Sequence, residues 1–577
     1  MSLHPGLLLD KQHDPWPVDK KEQAEFPRMV LQQVAGQAEP AGLLASKRKL
    51  WQAAQGEGAI RWQAQTKAPL ALHLSRATAF ENAGLCLHPL YGFAYLPGSG
   101  LKGMARAFAL TVQGIKETER DFELVFGREA EKEEEGAAGY VVFHDAWPVS
   151  WPKLEVDIVN CHHGAYYREG EPPEDWEDPV PVNFLAVKPG ARFEFALSLR
   201  RPHEEGARLL ELARGWLAGA LAVLGAGAKT AAGYGRFGTG GQPRPPVDGR
   251  RAEFECTLRL VSPAFLAGAN QGREDCRLRG ASMRGLLRWW WRALHAGAVP
   301  VEEMRKLEGR IWGTTEAASA VQVEIEGLGE AQVVQWTKPP GDQPAPGRFY
   351  LAYGMEGNPK ANRPARYFIK PGMKWRLRLS ARGAPGLTAE QVRDHAVAAL
   401  WTLCRMGGVG AKSRRGFGSV SIESPSRRLP DKWNETFSMV GIHAISEHRK
   451  PQSPSVLELS TKMLDLRAKD VMAALDRLGA AYRAFTSGEK HKPEKVALGL
   501  PRLIHRRPNQ EKLLHPADEK KYSRHASPLH FRLVETPQGY VVRVSALHSP
   551  HLPDLATSKA YLEKCMHRME EFLKHGK

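Results

Sequence analysis

Two eleven-residue segments of this chain combine several glycines with a central lysine, a combination suited to binding an anion. They are GAGAKTAAGYG, residues 225–235, and GVGAKSRRGFG, residues 408–418. Glycine tolerates positive φ angles and close backbone approach, so such a loop can present amide groups and its lysine to a phosphate. We therefore predict that Lys229 and Lys412 contact a phosphodiester backbone.

The common nucleotide-binding motifs do not fit these loops. A Walker A motif requires GxxxxGK[ST], whereas alanine precedes each lysine here. The segment GYGRFG, residues 233–238, fits GxGxxG, but it leads into a predicted strand instead of opening a helix. The alternative is that each loop only turns the chain at the end of a helix; the repetition of the lysine favours binding.

A second motif recurs at the same distance from the loop. LKGMAR, residues 101–106, corresponds to MRGLLR, residues 283–288. Lys102 precedes Lys229 by 127 positions, and Arg284 precedes Lys412 by 128. Two short motifs that keep one spacing through dissimilar sequence indicate two copies of one domain, since short-period solenoids repeat every 20 to 50 residues or so.

The second copy carries additional arginines. In the helix predicted from residue 279 to residue 297, Arg284, Arg288 and Arg292 follow one another at four-residue intervals. They should form a row of guanidinium groups on one face, which suits a phosphate backbone. Arg414 and Arg415 flank the second loop where the first loop has alanines. We expect the second copy to bind RNA more strongly than the first.

Aromatic side chains near these cations are candidates for stacking on bases. Trp289, Trp290 and Trp291 cannot share one direction on a helix that turns by about 100° per residue. Some of them should pack inward while another is free to stack. The stacking candidates are Trp289, Trp290, Tyr234 and Phe417.

The charge of the chain is unevenly distributed. Its 577 residues carry a net charge of +17, but residues 1–240 hold 26 Lys and Arg against 30 Asp and Glu, and residues 241–577 hold 55 against 34. The second part therefore has the composition of a polyanion binder. The six cysteines lie far apart, and no export or membrane segment is recognisable, so we expect a cytoplasmic protein without metal or cofactor.

The helices and strands predicted around these motifs indicate an α+β fold. A helical lead-in precedes strands and a helix that feeds the first loop, and residues 241–250 form a Pro/Gly linker. Residues 251–425 repeat the plan. Residues 426–577 show a helix near Met463 to Phe485, a hairpin over residues 529–547 and a helix from Ser558. This last part is read as a degenerate third copy, and the insertion before Asn183 as an exposed loop.

Several of these segments together resemble a known family. GFAYLPGSGLKGMARA and LGAGAKTAAGYGRFG resemble the sixth subunit of the type III-B CRISPR effector, the Cmr complex, over residues 1 to about 240. LRGASMRGLLRWWWRAL, GGVGAKSRRGFGSV and LGLPRLIHRR resemble its first subunit over about 250 to 577. Both subunits belong to the RAMP superfamily, so the chain resembles a fusion of two RAMP proteins.

The resemblance implies tandem ferredoxin-like, RRM-related domains of βαββαβ topology, two clear and one degenerate. It implies binding to the 3′ region of a CRISPR RNA, help in capturing target single-stranded RNA, and assembly with other Cmr subunits, with cleavage left to a partner subunit and no membrane association. The implied RNA contacts are Lys102, Arg106, Lys229, Arg236, Arg284, Arg288, Arg292, Lys412, Arg414 and Arg415.

Two alternatives remain open. The first is a RAMP endoribonuclease that cleaves target RNA or processes guide RNA, with a centre formed from Asp157, His162 and His163. That centre could extend to Cys161, Asp145 and His88, and a guide-processing histidine could be His295, His505 or His525. Adjacent histidines point to different faces of a regular element, which argues against a metal site. The second is a stand-alone single-strand RNA-binding protein.

Overall fold

A computed structural model describes most of the chain, which divides into two compact units. Unit 1 comprises Met1–Asn160 and Pro181–Ala252, and unit 2 comprises Cys161–Val180 and Glu253–Lys577. The described residues are 4–12, 15, 17–72, 85–130, 135–173, 175, 177–238, 250–338, 345–359, 363–443, 451–489, 493–499, 502–507, 510–514, 526–550, 552 and 555–576. The predicted linker, except for Arg250, lies outside them.

The first part of the chain is mixed α+β. Its helices are α1 (Pro5–Asp10), α2 (Lys20–Ala35), α3 (Leu43–Ala53), α4 (Gly98–Thr111), α5 (Arg120–Phe126), α6 (Gly164–Glu169) and α7 (Gly206–Val223). Its strands are β1 (Ile60–Gln65), β2 (Gly127–Arg128), β3 (Ala137–Ala138), β4 (Val141–Phe143), β5 (Trp147–Pro148), β6 (Leu154–Cys161), β7 (Val180–Val187) and β8 (Arg192–Leu199). The predicted helical lead-in is thereby confirmed, and α6 belongs to unit 2.

The sheet of unit 1 has the order β1-β8-β4, with β5 also paired to β8. β8 is central because its aromatic and branched residues suit a buried strand: Phe193, Phe195 and Leu197 are fully buried. The helices α4 and α7 pack against each other and against this sheet. After the first loop, Phe237 forms a bridge with Thr66, just beyond β1. The loop is thus held beside the first strand.

Unit 2 continues with eleven strands and seven helices among its described residues. The strands are β9 (Arg251–Leu260), β10 (Val321–Gly327), β11 (Val333–Gln335), β12 (Tyr367–Ile369), β13 (Lys374–Arg382), β14 (Val420–Glu423), β15 (Ser455–Asp465), β16 (Arg502–Arg507), β17 (Gln510–Leu514), β18 (Leu529–Thr536) and β19 (Gly539–His548). The helices are α8 (Gly280–His295), α9 (Val301–Trp312), α10 (Gly347–Leu351), α11 (Ala389–Met406), α12 (Trp433–Met439), α13 (Val471–Gly488) and α14 (Leu555–His575).

The larger sheet of unit 2 has the order β10-β13-β9-β14. β9 alternates buried and half-exposed residues, as the sequence RAEFECTLRL requires of a strand with one face in a core. The helices α8 and α11 pack against each other over this sheet, and α11 leads directly into the second loop. The apolar side chains of both helices and of the sheet form one continuous core.

A second sheet in unit 2, of order β15-β19-β18, carries α13 and α14 on one face. The predicted hairpin is confirmed as β18 and β19. The helix predicted from Met463 is wrong at its start, because SVLELSTKMLD pairs with β19 as strand β15. The helix begins after Asp470, whose side chain accepts hydrogen bonds from the amides of Met472 and Ala473. In the described part of the chain, no helix has the length and apolarity needed to cross a membrane.

Candidate nucleic-acid interface

The two glycine-lysine loops adopt the same hydrogen-bonded structure in their respective units. In each, one bond closes the loop on itself, and two tie it to the segment that follows the first strand of its sheet. The first loop has Ala226 N to Gly235 O (2.8 Å), Ala228 N to Ala71 O (2.7 Å) and Gly235 N to Pro69 O (2.8 Å). The second has Val409 N to Gly418 O (2.8 Å), Ala411 N to Phe265 O (2.9 Å) and Gly418 N to Pro263 O (2.8 Å). The repeated sequence therefore forms a repeated backbone structure.

Close backbone contacts account for one repeated glycine in each loop. Gly227 and Gly410 have φ angles of 76° and 82°. A Cβ atom on Gly227 would lie 2.2 Å from the carbonyl oxygen of Ala71, and one on Gly410 would lie 2.3 Å from that of Phe265. Neither contact can relax through side-chain motion because both involve backbone atoms, so only glycine fits.

The central lysines themselves lie in the left-handed region. Lys229 has a φ of 59° and Lys412 a φ of 62°. For a residue with a Cβ this conformation costs about 1 kcal/mol, and it is uncommon outside glycine, asparagine and aspartate. Strain that recurs at the same position in both copies supports the prediction that the lysines have a function.

The surroundings of the two lysines differ. The Nζ atom of Lys229 lies 4.8 Å from the centre of the Phe184 ring, a cation–π geometry. Lys412 is half-buried, and burial together with the nearby Arg415 lowers its pKa. A half-buried cation with another cation beside it is favourably placed for an anionic ligand.

The expectation of free amides and exposed aromatic rings in the loops is wrong. The amides of Ala226, Ala228 and Gly235 and their counterparts already donate within the fold, so they cannot also cradle a phosphate. Tyr234 and Phe417 are buried, with 3% and 0% exposure. The Tyr234 hydroxyl donates to Asp157, and the Phe417 ring packs 5.1 Å from that of Phe265. Both aromatic residues fill the space beneath their loop instead of stacking on a base.

The other predicted contacts of unit 1 are engaged with protein groups. Lys102 Nζ donates to the carbonyl oxygen of Phe126 at 2.8 Å, and Arg106 pairs with Glu117 at 2.6 Å with its side chain 40% exposed. Arg236 is buried and donates to the carbonyl oxygen of Val223 at the end of α7. Arg236 thus supports the loop from inside, and the prediction of a surface contact is wrong for it.

The arginine row on α8 converges on a buried carboxylate instead of facing solvent. Glu308 of α9 is 0% exposed and accepts from Arg288 Nε at 2.8 Å and from Arg292 Nη1 at 3.0 Å. Arg284 donates to the carbonyl oxygen of Trp312, and burial followed by Arg288 lowers its pKa to about 10. The open cationic face predicted from the four-residue spacing is therefore corrected, because a carboxylate on the neighbouring helix neutralises two of its three members.

Two tyrosines complete this cluster. The Tyr166 hydroxyl donates to Glu308 Oε2 at 2.9 Å and the Tyr167 hydroxyl to Oε1 at 2.8 Å, while Arg288 and Arg292 donate to the Tyr167 oxygen at 2.8 and 3.0 Å. Burial by itself would raise the pKa of Glu308, but the two arginines and two hydroxyls outweigh it and lower the pKa to about 2. The carboxyl group of Glu308 therefore stays ionised.

Tyr166 and Tyr167 lie in the segment Cys161–Val180, which belongs to unit 2 although it lies between two stretches of unit 1. Its sequence holds six acidic residues and one arginine. Asp175 accepts from Arg414 Nη2 at 2.5 Å and from Trp289 Nε1 at 3.2 Å. Asp175 thus anchors the segment that we expected to be an exposed loop. Its carboxylate pairs with Arg414, a cation that the sequence assigned to RNA.

The tryptophans divide as their helical spacing requires. Trp290 and Trp291 are buried, at 3% and 0% exposure, so base stacking by Trp290 is excluded in this structure. Trp289 is half-buried, with the guanidinium of Arg414 5.4 Å from its ring. Arg415 in turn lies 4.9 Å from the ring of Tyr482. The arginines of the second loop therefore rest on aromatic faces.

Several candidate catalytic residues are engaged with protein groups within their own unit. Asp157 is 2% exposed and bound by Tyr234, and Asp145 accepts from the Gly98 amide at the start of α4. His163 contacts Glu177, and burial followed by Arg292 lowers its pKa to about 3. The described residues include no group of three or more His, Cys, Asp or Glu placed to hold a metal ion.

The remaining histidine candidates give no better centre. His88 lies among aromatic rings, 4.5 Å from that of Tyr91. His295 is buried and hydrogen-bonded to the Trp291 carbonyl oxygen. His162 is exposed, and its ring centre lies 6.0 Å from that of His163. His525 and the side chain of His505 lie outside the described residues.

Glu308 and Asp175 were missed from the sequence. Glu308 follows Met304 by four residues and precedes Ile311 by three, so it falls on the apolar stripe of α9, and this position could have identified it. Asp175 has no comparable local signal, because its partners are 114 and 239 positions away.

A family profile described as RAMPs, the RAMP superfamily, matches residues 58–238 and 257–421, which is more than half of the chain. The chain belongs to the RAMP superfamily. This RAMP protein is 32% identical over 235 residues to the CRISPR system Cmr subunit Cmr6 of Pyrococcus furiosus, covering 31% of this chain and 67% of the relative. It is 25% identical over 297 residues to Cmr subunit Cmr1-1 of the same organism, covering 47% of this chain and 81% of the relative.

Among solved structures, the crystal structure of apo Cmr1 from Pyrococcus furiosus aligns with 19% identity and a TM-score of 0.34, covering 52% of this chain and 88% of that one. The two sequence relatives match separate regions. This RAMP protein therefore joins in one chain a region related to the sixth Cmr subunit and a region related to the first, as the sequence motifs predicted.

Proposed function

We propose that this RAMP protein is an RNA-binding, non-catalytic component of a type III-B CRISPR Cmr effector complex in the cytoplasm. In this proposal it binds the 3′ region of the CRISPR RNA, helps to capture complementary single-stranded target RNA, and assembles with the remaining Cmr subunits. The observation that carries the proposal is the presence, in one chain, of relatives of two Cmr subunits, each with the same strained lysine loop.

We also propose that the chain contains three ferredoxin-like domains of βαββαβ type. In unit 2 the four strands of the larger sheet and the two helices packed on it follow one another as β9, α8, β10, β13, α11 and β14, with α9, β11, α10 and β12 inserted between them. The sheet order β10-β13-β9-β14 is the one expected for the βαββαβ topology. The order β1-β8-β4 and the order β15-β19-β18 correspond to the same arrangement with its fourth strand reduced or missing. The last domain is the degenerate copy.

The RNA contacts proposed first are the cations that keep exposed surface. These are Lys229, Lys412, Lys102, Arg106 and Arg415. Arg288, Arg292 and Arg414 are held by Glu308, Tyr167 and Asp175, so we propose that they reach RNA only if the segment Cys161–Val180 is released. Phosphate contacts of this kind position a strand without reading its bases, and guide specificity then belongs to base pairing.

The experiment that tests this function is purification of the tagged full-length protein from its native host, followed by native mass measurement and RNA sequencing. We expect a discrete CRISPR RNA and the other Cmr chains. Recovery of the protein alone, without RNA, contradicts the proposal. RNA of random sequence without Cmr partners would instead support the stand-alone RNA-binding alternative.

The endoribonuclease alternative has a separate test. The purified protein is incubated with guide and target RNA and with Mg²⁺ or Mn²⁺. We expect no cleavage, because Asp157 is buried under Tyr234. Cleavage by the wild type that is abolished in Asp157→Asn, but kept in the exposed control Asp431→Asn, would show that the protein is a nuclease.

A further inference from the structure

Three arginines in the C-terminal part of unit 2 gather without an ion pair. Arg532 on β18 and Arg543 on β19 are directly opposite each other in the register of the hairpin, and Arg405 lies in the last turn of α11, which packs against β18. Like charges opposite each other on neighbouring strands destabilise a sheet. Glu458 of β15 acts on Arg543 from a distance, but among the described residues no carboxylate forms an ion pair with any of the three.

Arg532 sits at the base of this group. It is only 8% exposed, its Nη2 atom donates to the Val420 carbonyl oxygen at 2.6 Å, and its Nε atom is buried without a hydrogen-bond partner. Burial lowers its pKa to about 10, and Arg543 and Arg405 act in the same direction. A buried guanidinium with an unfilled donor is costly, so the unpaired Nε of Arg532 points to a ligand.

Arg405 and Arg543 lie on the solvent-facing side of the three-arginine cluster. Both are partly exposed, and the Nε atom of Arg405 is also buried without a partner while its guanidinium lies 4.9 Å from the Trp401 ring. Met463, which is opposite Arg543 on β15, is 48% exposed. The site is therefore open to solvent on the β15 side.

Three arginines on the larger sheet of unit 2 are neutralised. Arg259, Arg376 and Arg378 of β9 and β13 pair with Glu423, Glu326 and Glu255 at 2.8, 2.9 and 2.5 Å. The face of the larger sheet is thus balanced in charge and unsuited to a polyanion. Arg405, Arg532 and Arg543 differ from these arginines because they lack such pairs, which leaves several donors that match the oxygens of a phosphate.

We propose that Arg405, Arg532 and Arg543 bind a phosphate group of the RNA backbone. This inference rests on the proposed RNA-binding function and extends it to the degenerate third domain. The phosphate removes the repulsion between the opposed arginines and fills the unpaired donors at the base of the site. No base is read, so the contact contributes affinity and register without sequence preference.

The test uses the full chain and fluorescein-labelled oligouridine, with binding followed by anisotropy over a series of salt concentrations. For Arg543→Gln and Arg405→Gln we expect affinity to fall about tenfold. The slope of log K against log salt should become shallower by about 0.7 for each phosphate that the variant no longer neutralises. Arg568→Gln, an exposed arginine on α14, removes the same charge and should leave the slope unchanged. An unchanged slope in both site variants overturns the proposal.

Thermal unfolding separates binding from structure. Without RNA, Arg543→Gln should unfold at the same temperature as the wild type or higher, because it removes a like-charge pair. A clear decrease, with no change in the salt slope, would indicate a purely structural arginine and overturn the proposal.

A second thermal-unfolding measurement adds inorganic phosphate instead of RNA. Phosphate should raise the unfolding temperature of the wild type and not that of Arg543→Gln. Stabilisation by phosphate with an unchanged RNA slope overturns the RNA assignment. If the wild type binds no oligouridine, the proposed RNA-binding function fails, and this inference fails with it; a phosphate effect would then show only a free-anion site.

Discussion

At the scale of single residues, the repeated loop combines two opposite demands on the backbone. Gly227 and Gly410 are required because a Cβ atom would meet a carbonyl oxygen. Lys229 and Lys412 occupy the same left-handed region at a cost in conformational energy. We therefore expect the ammonium group to have a role, since glycine would serve the turn at a lower cost.

The first prediction concerns this contrast. Gly410→Ala should lower the free energy of unfolding by more than 2 kcal/mol or so, because it adds a backbone clash to the cost of positive φ. Gly441→Ala, at a φ of 73° with nothing within 4 Å of its Cβ, is the matched control and should cost about 1 kcal/mol. Urea unfolding measures both. Equal decreases would contradict the clash.

The second prediction concerns Glu308. Glu308→Gln leaves Arg288 and Arg292 buried without a counter-charge and should cost about 3–5 kcal/mol, whereas Glu302→Gln, exposed on the same helix, should cost little. Because the pKa of Glu308 is lowered to about 2, its stabilisation is complete above its usual pKa and is lost as pH falls toward 2. Acid unfolding of the wild type and variant checks this. A variant as stable as the wild type would contradict it.

At the scale of elements, the segment Cys161–Val180 is the main finding. It includes helix α6. Tyr166 holds it on Glu308, while Tyr167 and Asp175 hold it on Arg292 and Arg414, two cations that the sequence assigned to RNA. Hydrogen bonds to charged partners are worth about 1.5–3 kcal/mol each when buried. The segment should therefore be ordered in the free protein.

The third prediction is that Asp175→Asn combined with Tyr167→Phe loosens this segment selectively. Amide hydrogen exchange should become faster in residues 161–180 and stay unchanged in α11 and β13. Asp178→Asn, in the same segment, is the control. Uniformly faster exchange over unit 2 would mean that the segment is part of the core and not a separate element.

The fourth prediction concerns the packing of α8 on α11, where the rings of His295 and His395 lie 5.5 Å apart. Burial lowers the pKa of His295 to about 4 and that of His395 to about 3. Both are neutral in the folded state, so their stabilisation is complete above the usual histidine pKa and is lost as pH falls below it. Each should contribute a slope of up to about 1.4 kcal/mol per pH unit.

Chemical unfolding between neutral pH and pH 5 measures that slope. His295→Gln should reduce it by about one proton, whereas His567→Gln, an exposed histidine on α14, should not. An identical slope in His295→Gln and wild type would mean that the histidine is protonated in the folded protein.

At the scale of the whole molecule, charge divides the two halves. Residues 1–240 have a slight excess of acidic groups, and the excess of positive charge lies in residues 241–577. The acidic segment Cys161–Val180 belongs to unit 2 and offsets part of that excess. The strongest contribution to RNA affinity should accordingly come from the remaining cations of unit 2.

The fifth prediction follows from this distribution. Lys412→Gln should weaken binding of the full chain to RNA more than Lys229→Gln, with a larger decrease in the salt slope. Equal effects would contradict the asymmetry.

Reversal of Arg284 and Arg288 to glutamate is expected to unfold unit 2, because it places negative charge beside Glu308. Loss of RNA binding in that variant would therefore be accompanied by loss of structure.

The sequence by itself determined the duplicated loop, the α+β character and the helix that feeds each loop, and its motifs already resembled the RAMP superfamily. The loop and the helices depend on local periodicity and on glycine geometry, which neighbouring residues specify. The helix wrongly begun at Met463 is an exception, because pairing of β15 with β19 overrode the local pattern.

Only the tertiary structure decided which cations are accessible. Four-residue spacing places Arg284, Arg288 and Arg292 on one face of α8, but it does not show that Glu308 and Tyr167 cover that face. Likewise, nothing near Arg405, Arg532 or Arg543 in the sequence indicates that the three meet without an ion-pairing carboxylate. The physical reason is the same in both cases: the free energy of a buried charge depends on partners that the chain brings from far away.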